Sequence, residues 1–258
     1  MIKPRTSTRA QDILELLTAR DEVSVAELAD RFQVTPMTIR RDLEALAAEG
    51  RITRTHGGAV LTAPSVVAFA FQERRQARLA EKQAIAREAT RHIPPGTAMI
   101  LDTGTTTLEV AKAIKGIPDL KVLTSSLAIA SALLAHDQLE LVLLGGTVNR
   151  GSPDLSGPLT EENLASFRAD VAVIGADAVD QKGLYTRCQN IAGVSRAMIA
   201  SAGKTVLVAD SSKFGTTSFV QFADWKDIDI VVVDTGLAPT HQRWLKKLAG
   251  KLLFAQKI

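Results

Sequence analysis

Residues 97–114 read TAMILDTGTTTLEVAKAI. The apolar run Ala98–Leu101 is too short for a helix and stops at Asp102. Thr103, Gly104, Thr105, Thr106 and Thr107 follow, and then Leu108, Val110, Ala111 and Ile114 return at helical spacing. The stretch therefore predicts a buried strand, a polar turn and the start of an amphipathic helix. A helix start offers unpaired N–H groups and the positive end of its dipole, and small hydroxyl residues around a glycine let an anion come close. The turn suits a phosphate or a carboxylate. It reads equally as an ordinary capped turn between strand and helix, because Thr and Asp are common N-caps.

The rest of the C-terminal part repeats this rhythm. Candidate strands are Ala98–Asp102, Lys121–Thr124, Leu139–Leu144, Val171–Gly175, Thr205–Ala209 and Ile228–Val233. Helical patterns lie at Leu108–Ile114, Leu127–Leu134, Glu161–Phe167, Gly193–Ala202 and Thr240–Leu248. Near-continuous apolar strands of this kind predict a mostly parallel α/β sheet covered on both faces. Ligands of such sheets bind outside the carboxyl ends of the strands. Polar residues gather there: Asp102–Thr107, Ser125-Ser126, Gly145-Gly146-Thr147, Ala176-Asp177 and Asp210-Ser211-Ser212-Lys213. Five strand ends are expected to converge on one crevice.

Upstream, residues 8–60 are punctuated differently. Ile13, Leu16 and Leu17 give Arg9–Ala19 an apolar face. Ser24 caps a short helix that turns Val25, Leu28 and Ala29 inward, and Phe32-Gln33-Val34 connects it tightly to Thr35. Thr35 is a good N-cap and Pro36 takes the favoured first helical position. Ile39, Leu43 and Leu46 then form the buried stripe of a third helix ending at Gly50. This is helix-turn-helix punctuation. A rotation of about 100° per residue from Ile39 centres the solvent face of the third helix on Met37 and Arg41, with Thr38 and Arg40 at its flanks. Arg51-Ile52-Thr53-Arg54-Thr55-His56-Gly57-Gly58-Ala59-Val60 reads as a small wing, in which Arg51, Arg54 and His56 are placed for phosphate or minor-groove contact. The candidate DNA contacts are thus Thr35, Met37, Thr38, Arg40, Arg41, Arg51, Arg54 and His56. Between Met1 and Leu61 nine Lys and Arg face nine Asp and Glu, so any basic surface is local. Helical triplets of this sort also serve as protein-interaction modules.

Three segments are expected: residues 1–61 as a winged helix-turn-helix domain, 62–80 as hinge and linker helix, and 81–258 as a ligand-binding domain. The hinge is read at Leu61–Ala70. Gln72–Thr90 is strongly helical, with Leu79, Ile85, Ala86 and Ala89 toward a core and Arg74, Arg75, Arg78, Glu81 and Lys82 exposed as a solvated face. That helix is expected to pack on the larger domain and pass its movement to the wing.

Composition sets bounds on these readings. A chain of 258 residues with 46% hydrophobic and 23% charged residues is that of a globular protein with a substantial core. No segment approaches 18 uninterrupted apolar residues and the N-terminus lacks a signal-peptide stretch, which points to the cytoplasm and to no membrane partner. The single cysteine, Cys188, excludes an internal disulfide and a zinc site built on paired thiolates, and no cofactor or metal is called for. A net charge of +3 and a pI near 9.1 are compatible with a nucleic-acid partner.

The series Arg9, Ile13, Leu17, Thr35 and Thr38-Ile39-Arg40-Arg41-Asp42-Leu43 resembles the N-terminal signature of the DeoR family of transcriptional regulators. LDTGTTTLEVA, LLGGTV, VIGAD and ADSSKFG resemble that family's C-terminal sensor domain. The resemblance implies a winged helix-turn-helix repressor whose larger domain is related in fold to ribose-5-phosphate isomerase. It also implies double-stranded operator DNA as partner, a phosphorylated sugar or sugar derivative as inducer, and a homo-oligomer, dimer or tetramer. On this view Gly104, Thr105, Thr106 and Thr107 hold the phosphate, Lys213 adds a compact positive charge, and Asp102, Asp177 and Asp210 accept hydrogen bonds from sugar hydroxyls. Gly145 and Gly146 let backbone approach the ligand.

The chain departs from the family's pattern at Ser125, where an asparagine is common, and at Arg187–Gly193, which lacks an expected acidic residue. Both positions belong with the expected effector pocket, and an Arg187 with no carboxylate beside it favours a more anionic ligand. The rival class is a sugar-phosphate isomerase carrying a DNA-binding head. Ala178–Gly183 offers no evident catalytic glutamate, and no glycine triplet follows a lysine as in that enzyme family, so binding without turnover is the simpler expectation.

Overall fold

The structure, a computed structural model, describes residues 6–20, 22–48, 51–61, 71–149 and 152–257. The chain divides into two compact units that meet in sequence between Gln72 and Glu73. The hinge read at Leu61–Ala70 lies, apart from Leu61, outside the described residues.

The smaller unit runs α1 (Thr6–Ala19), β1 (Val23–Ser24), α2 (Val25–Phe32), α3 (Pro36–Ala48), β2 (Ile52–Arg54) and β3 (Gly58–Leu61). Ser24 caps α2 through a reciprocal box: its hydroxyl accepts from the Glu27 amide while the Glu27 carboxylate accepts from the Ser24 amide. Gln33 takes a left-handed conformation, φ 53°, and its amide closes on Ala29 and Asp30, which turns the chain sharply toward α3. Ile13, Leu14, Leu17, Leu28, Ile39, Leu43 and Leu46 form the core that this turn folds together. β2 and β3 make the wing, and β1 adds a third strand that the sequence reading gave only as a cap. Gly58 has no substitute in that sheet, since a Cβ there would lie 2.0 Å from the Val23 carbonyl oxygen.

A helical stretch at 71–76 runs across the division in sequence, and the larger unit continues with α4 (Leu79–Thr90), β4 (Ala98–Leu101), α5 (Thr105–Ala113), β5 (Leu120–Thr124), α6 (Leu127–Leu133), β6 (Leu139–Leu143), β7 (Thr147–Val148) and β8 (Leu155–Ser156). It continues through α7 (Pro158–Ala165), β9 (Ala169–Ile174), β10 (Ala178–Val179), β11 (Leu184–Thr186), α8 (Gln189–Ala200), β12 (Ala202–Val208), β13 (Val220–Ala223), β14 (Ile230–Asp234), α9 (Pro239–Leu248) and β15 (Lys251–Ala255). Seven strands form one sheet in the order β15-β14-β12-β9-β4-β5-β6, every neighbouring pair parallel. Ile100, Ala172, Ile174, Leu207, Val231 and Val233 are buried in its centre. β10, β11 and β13 form a separate antiparallel sheet, and β7 pairs with β8.

Three expectations are corrected here. β15 is a seventh parallel strand that the sequence reading omitted. β6 is an edge strand and not a buried one, with Glu140 and Leu143 exposed. The helix expected over Gln72–Thr90 is broken at Ala77-Arg78, where Arg78 sits at φ 52°. The break is held by Lys82, whose ammonium donates to the carbonyl oxygens of Arg74 and, at 2.6 Å, Ala77. Lys82 is accordingly 4% exposed and buried, against the expectation that it lies on a solvated face.

Candidate functional site

In the smaller unit the face away from the core belongs to the first turns of α3. Thr35 precedes the helix with its hydroxyl accepting from the Thr38 amide at 3.3 Å. Thr38 is half-buried and bonded to Thr35, while Met37 is 62% exposed and Arg40 and Arg41 are exposed without an ion-pair partner among the described residues. The orientation of α3 depends on a buried fork: Arg9 Nε lies 2.5 Å from Asp42 Oδ2 and its Nη2 donates to Oδ1 at 3.1 Å. The hydrogen bond to Asp42 raises the Arg9 guanidinium above its ordinary value. On the wing, His56 is exposed at the turn and Arg51 is half-buried. Arg54 reaches back to α3, 2.9 Å from Glu44. Helix and wing thus offer an apolar side chain and two uncommitted guanidinium groups, the chemistry that reads base edges and phosphates in a major groove.

In the larger unit the strand order reverses between β4 and β9. β5 and β6 extend one way from β4; β9, β12, β14 and β15 extend the other. Asp102 follows β4 and Gly175 follows β9, and the two are joined by the Gly175 amide donating to Asp102 Oδ2 at 3.0 Å. The other oxygen of Asp102 accepts from the Thr103 amide at 2.7 Å. Asp102 is 5% exposed; burial, with smaller contributions from Asp154 and Asp177, raises its carboxyl to about 7. Gly104, at φ 138°, opens α5, and Thr105 and Thr106 are half-exposed on its first turn, whose amides have no intrahelical acceptor. Thr107 is fully buried and donates its hydroxyl to the Gly104 carbonyl, so its side chain is spent on the cap.

The remaining candidates are distributed unevenly around this reversal. Ser125 is buried after β5, and its hydroxyl has no hydrogen-bond partner among the described residues. Lys213 lies two strands from Asp102, in the turn after β12, half-buried and with no acceptor for its ammonium among the described residues. Asp177 is half-buried, accepting from the Thr186 hydroxyl and the Arg187 amide, each at 3.1 Å. Gly146 follows the edge strand β6. A Cβ there would lie 2.1 Å from the Thr160 hydroxyl, so its bareness serves packing against α7. Gly145 is likewise engaged by α7, donating to Asn163 and accepting from Thr160.

One sequence expectation is corrected here. Arg187 does have a carboxylate beside it, Asp177 at 4.0 Å, and therefore does not by itself favour an anion. Asp210 caps Ser212 and pairs with Arg78, all through Oδ1. Sequence reasoning missed Arg78 and Lys82 as site-adjacent groups. The partners of Arg78 at Asp210, Ser211 and Asp234 lie more than a hundred residues away, and the turn that Lys82 closes on the carbonyls of Arg74 and Ala77 has no periodic signal, so only a basic cluster was visible locally.

A family described as DeoR-like helix-turn-helix domain matches residues 9–64, and one described as DeoR C terminal sensor domain matches residues 77–235. The Glycerol-3-phosphate regulon repressor of Escherichia coli (strain K12) is 32% identical over 231 residues, covering 89% of this chain and 91% of that protein. The Transcriptional repressor AccR of Agrobacterium fabrum is 32% identical over 261 residues, covering 99% of this chain and 100% of its own. Among solved structures, a D-ribose-5-phosphate isomerase in complex with phospho-erythronic acid aligns with 52% of each chain at 22% identity and a TM-score of 0.39.

Proposed function

This chain belongs to the DeoR family of DNA-binding transcriptional regulators, and we propose that it represses a carbohydrate-catabolism operon until a phosphorylated sugar or sugar derivative releases it. One observation carries the reading. The amides of the Thr105 turn open where strand order reverses, and the ammonium of Lys213, in the turn after β12, has no acceptor among the described residues, in a chain whose other unit exposes Met37, Arg40 and Arg41. A doubly charged phosphate fits the first set and operator DNA the second. A relative named for a glycerol-3-phosphate regulon supports both the sign of regulation and the metabolic setting.

Binding without turnover is favoured by Ala178–Gly183, which offers no evident catalytic glutamate beside Asp177. The effector acts by the difference in its affinity for two arrangements of the protein. Two heads on one operator require an oligomer, with half-sites spaced by about one helical turn of DNA.

The test is binding of the full chain to a labelled fragment from upstream of its own gene at physiological salt, with and without a panel of sugar phosphates. Specific binding relieved by one compound establishes repressor and inducer together. Specific binding that no member of the panel alters defeats the effector class, and turnover of a pentose phosphate that disappears in Asp177→Asn defeats the non-enzymatic reading.

A further inference from the structure

We infer that Arg78 is a positioning residue: it clasps the root of α4 to the carboxyl ends of β12 and β14, and through that clasp the segment leading back to the DNA-reading unit feels the state of the crevice. The inference rests on the regulatory reading above. Its geometry stands independently of the effector's identity.

Four groups meet the one guanidinium. Nε lies 3.2 Å from Asp210 Oδ1, and Nη2 donates to the Ser211 hydroxyl at 2.8 Å. Nη2 also stands 3.7 Å from both Asp234 Oδ2 and Glu81 Oε1. Asp210 and Asp234 are each only 2% exposed, so their charges need a counter-charge, and no other residue supplies both with an ion pair among the described residues. Ser211 braces the two strand ends against each other, its amide and hydroxyl donating to Asp234 at 2.7 and 2.9 Å. Gly236 is bare because a Cβ would come within 2.7 Å of Asp234 Oδ2 and 3.0 Å of the Ser211 hydroxyl. The turn is packed around the clasp.

The backbone at Arg78 is held in a left-handed conformation, φ 52° and ψ 38°, which an arginine keeps only where its surroundings impose it. Release of the guanidinium therefore removes one of the two holds on the break between residues 71–76 and α4, the other being Lys82. Lys82, one turn further on, completes the device by donating to the carbonyls that end the preceding helical stretch. Its ammonium is depressed by burial, an effect partly offset by Asp210, and it also feels Lys213 and Glu109. Glu109 belongs to α5, the helix that begins at Thr105, and Lys213 follows Asp210 by three residues. The charges that act on Lys82 thus include one on the helix that begins at Thr105 and one in the turn after β12. On its open side Arg78 lines a cavity of about 500 Å3 with Lys257 and Gln256, so the guanidinium has room to leave its partners.

The experiment compares the full-length wild type with Arg78→Gln and Gly236→Ala. It measures operator affinity with and without the releasing sugar phosphate, ligand affinity off DNA by calorimetry, and amide exchange across residues 71–84. Expected are a release factor at least tenfold smaller, exchange at 79–84 at least tenfold faster, and ligand affinity within threefold of wild type. Unchanged release or unchanged exchange overturns the clasp, as does a parallel loss of ligand affinity. Should Arg78→Gln fail to fold, Ser211→Ala removes one contact and is judged by the same criteria. Should no sugar phosphate release the wild type, the effector reading falls by itself. The clasp then stands or falls on exchange and on at least a fivefold change in operator affinity relative to the exposed control Lys204→Gln.

Discussion

Asp102 carries a measurable signature. Its carboxyl is raised to about 7 by burial, whereas an unfolded aspartate titrates near pH 3.9. Between those values the folded chain holds a proton that the unfolded chain has lost, so the contribution to stability is full below about pH 4 and declines as pH rises to about 7. The slope is about 1.4 kcal/mol per pH unit. Asp102→Asn cannot titrate, and urea unfolding followed from pH 5 to 7 should show the wild type losing stability relative to the variant by about that slope; parallel curves would mean that the carboxyl ionises normally. Among the arginines, Arg40 and Arg41 are uncommitted and Arg54 is held by Glu44. Arg41→Ala should reduce the slope of log affinity for DNA against log salt by about one unit, and Arg54→Ala by less, in an anisotropy titration across a salt series.

At the scale of elements, α3 owes its placement to the Arg9–Asp42 fork. Asp42→Ala leaves a buried guanidinium without its anion, at a cost of roughly 3–5 kcal/mol. Exchange of α3 amides should report that loss in the smaller unit with little change in the large sheet. Gly58→Ala places a methyl against the Val23 carbonyl and should open the β1–β3 pairing, with DNA affinity falling and the sheet of the larger unit untouched. The three helices of the smaller unit and six of the seven parallel strands were legible in the sequence, because Ile39, Leu43 and Leu46 or Ala98–Leu101 state their own period. β1 is two residues long and has no period to read. β15 follows Gly250 as five residues, too few to separate from the tail of a helix. The break at Arg78 was illegible for a different reason: nothing local favours a left-handed arginine, and its partners Asp210, Ser211 and Asp234 are distant in sequence. The candidate site was legible as a set of strand-end turns. Which members were already engaged, Thr107 on the Gly104 carbonyl and Gly146 against Thr160, depended on packing that no single turn encodes.

For the whole molecule, the arrangement predicts that sensing and DNA reading can be separated by mutation. Lys213→Met removes a cation that has no acceptor among the described residues, in the turn after β12 of the larger unit. Operator affinity in the absence of effector should stay within threefold, while the concentration of sugar phosphate needed for release rises at least tenfold in the same anisotropy assay. Loss of operator binding itself would show that Lys213 supports the fold and not the response.

The seven-stranded sheet also imposes an order in time. The head is closed by contacts among its own first sixty or so residues, whereas β4 pairs on one side with β9, Leu101 opposite Val173. At roughly 5–20 residues per second of synthesis, the partner edge of β4 leaves the ribosome about 4–14 s after β4 itself. Local helical contacts form far sooner than such distant pairings. Each newly made chain therefore passes through an interval in which the core of the smaller unit can close while the parallel sheet of the larger unit is still incomplete.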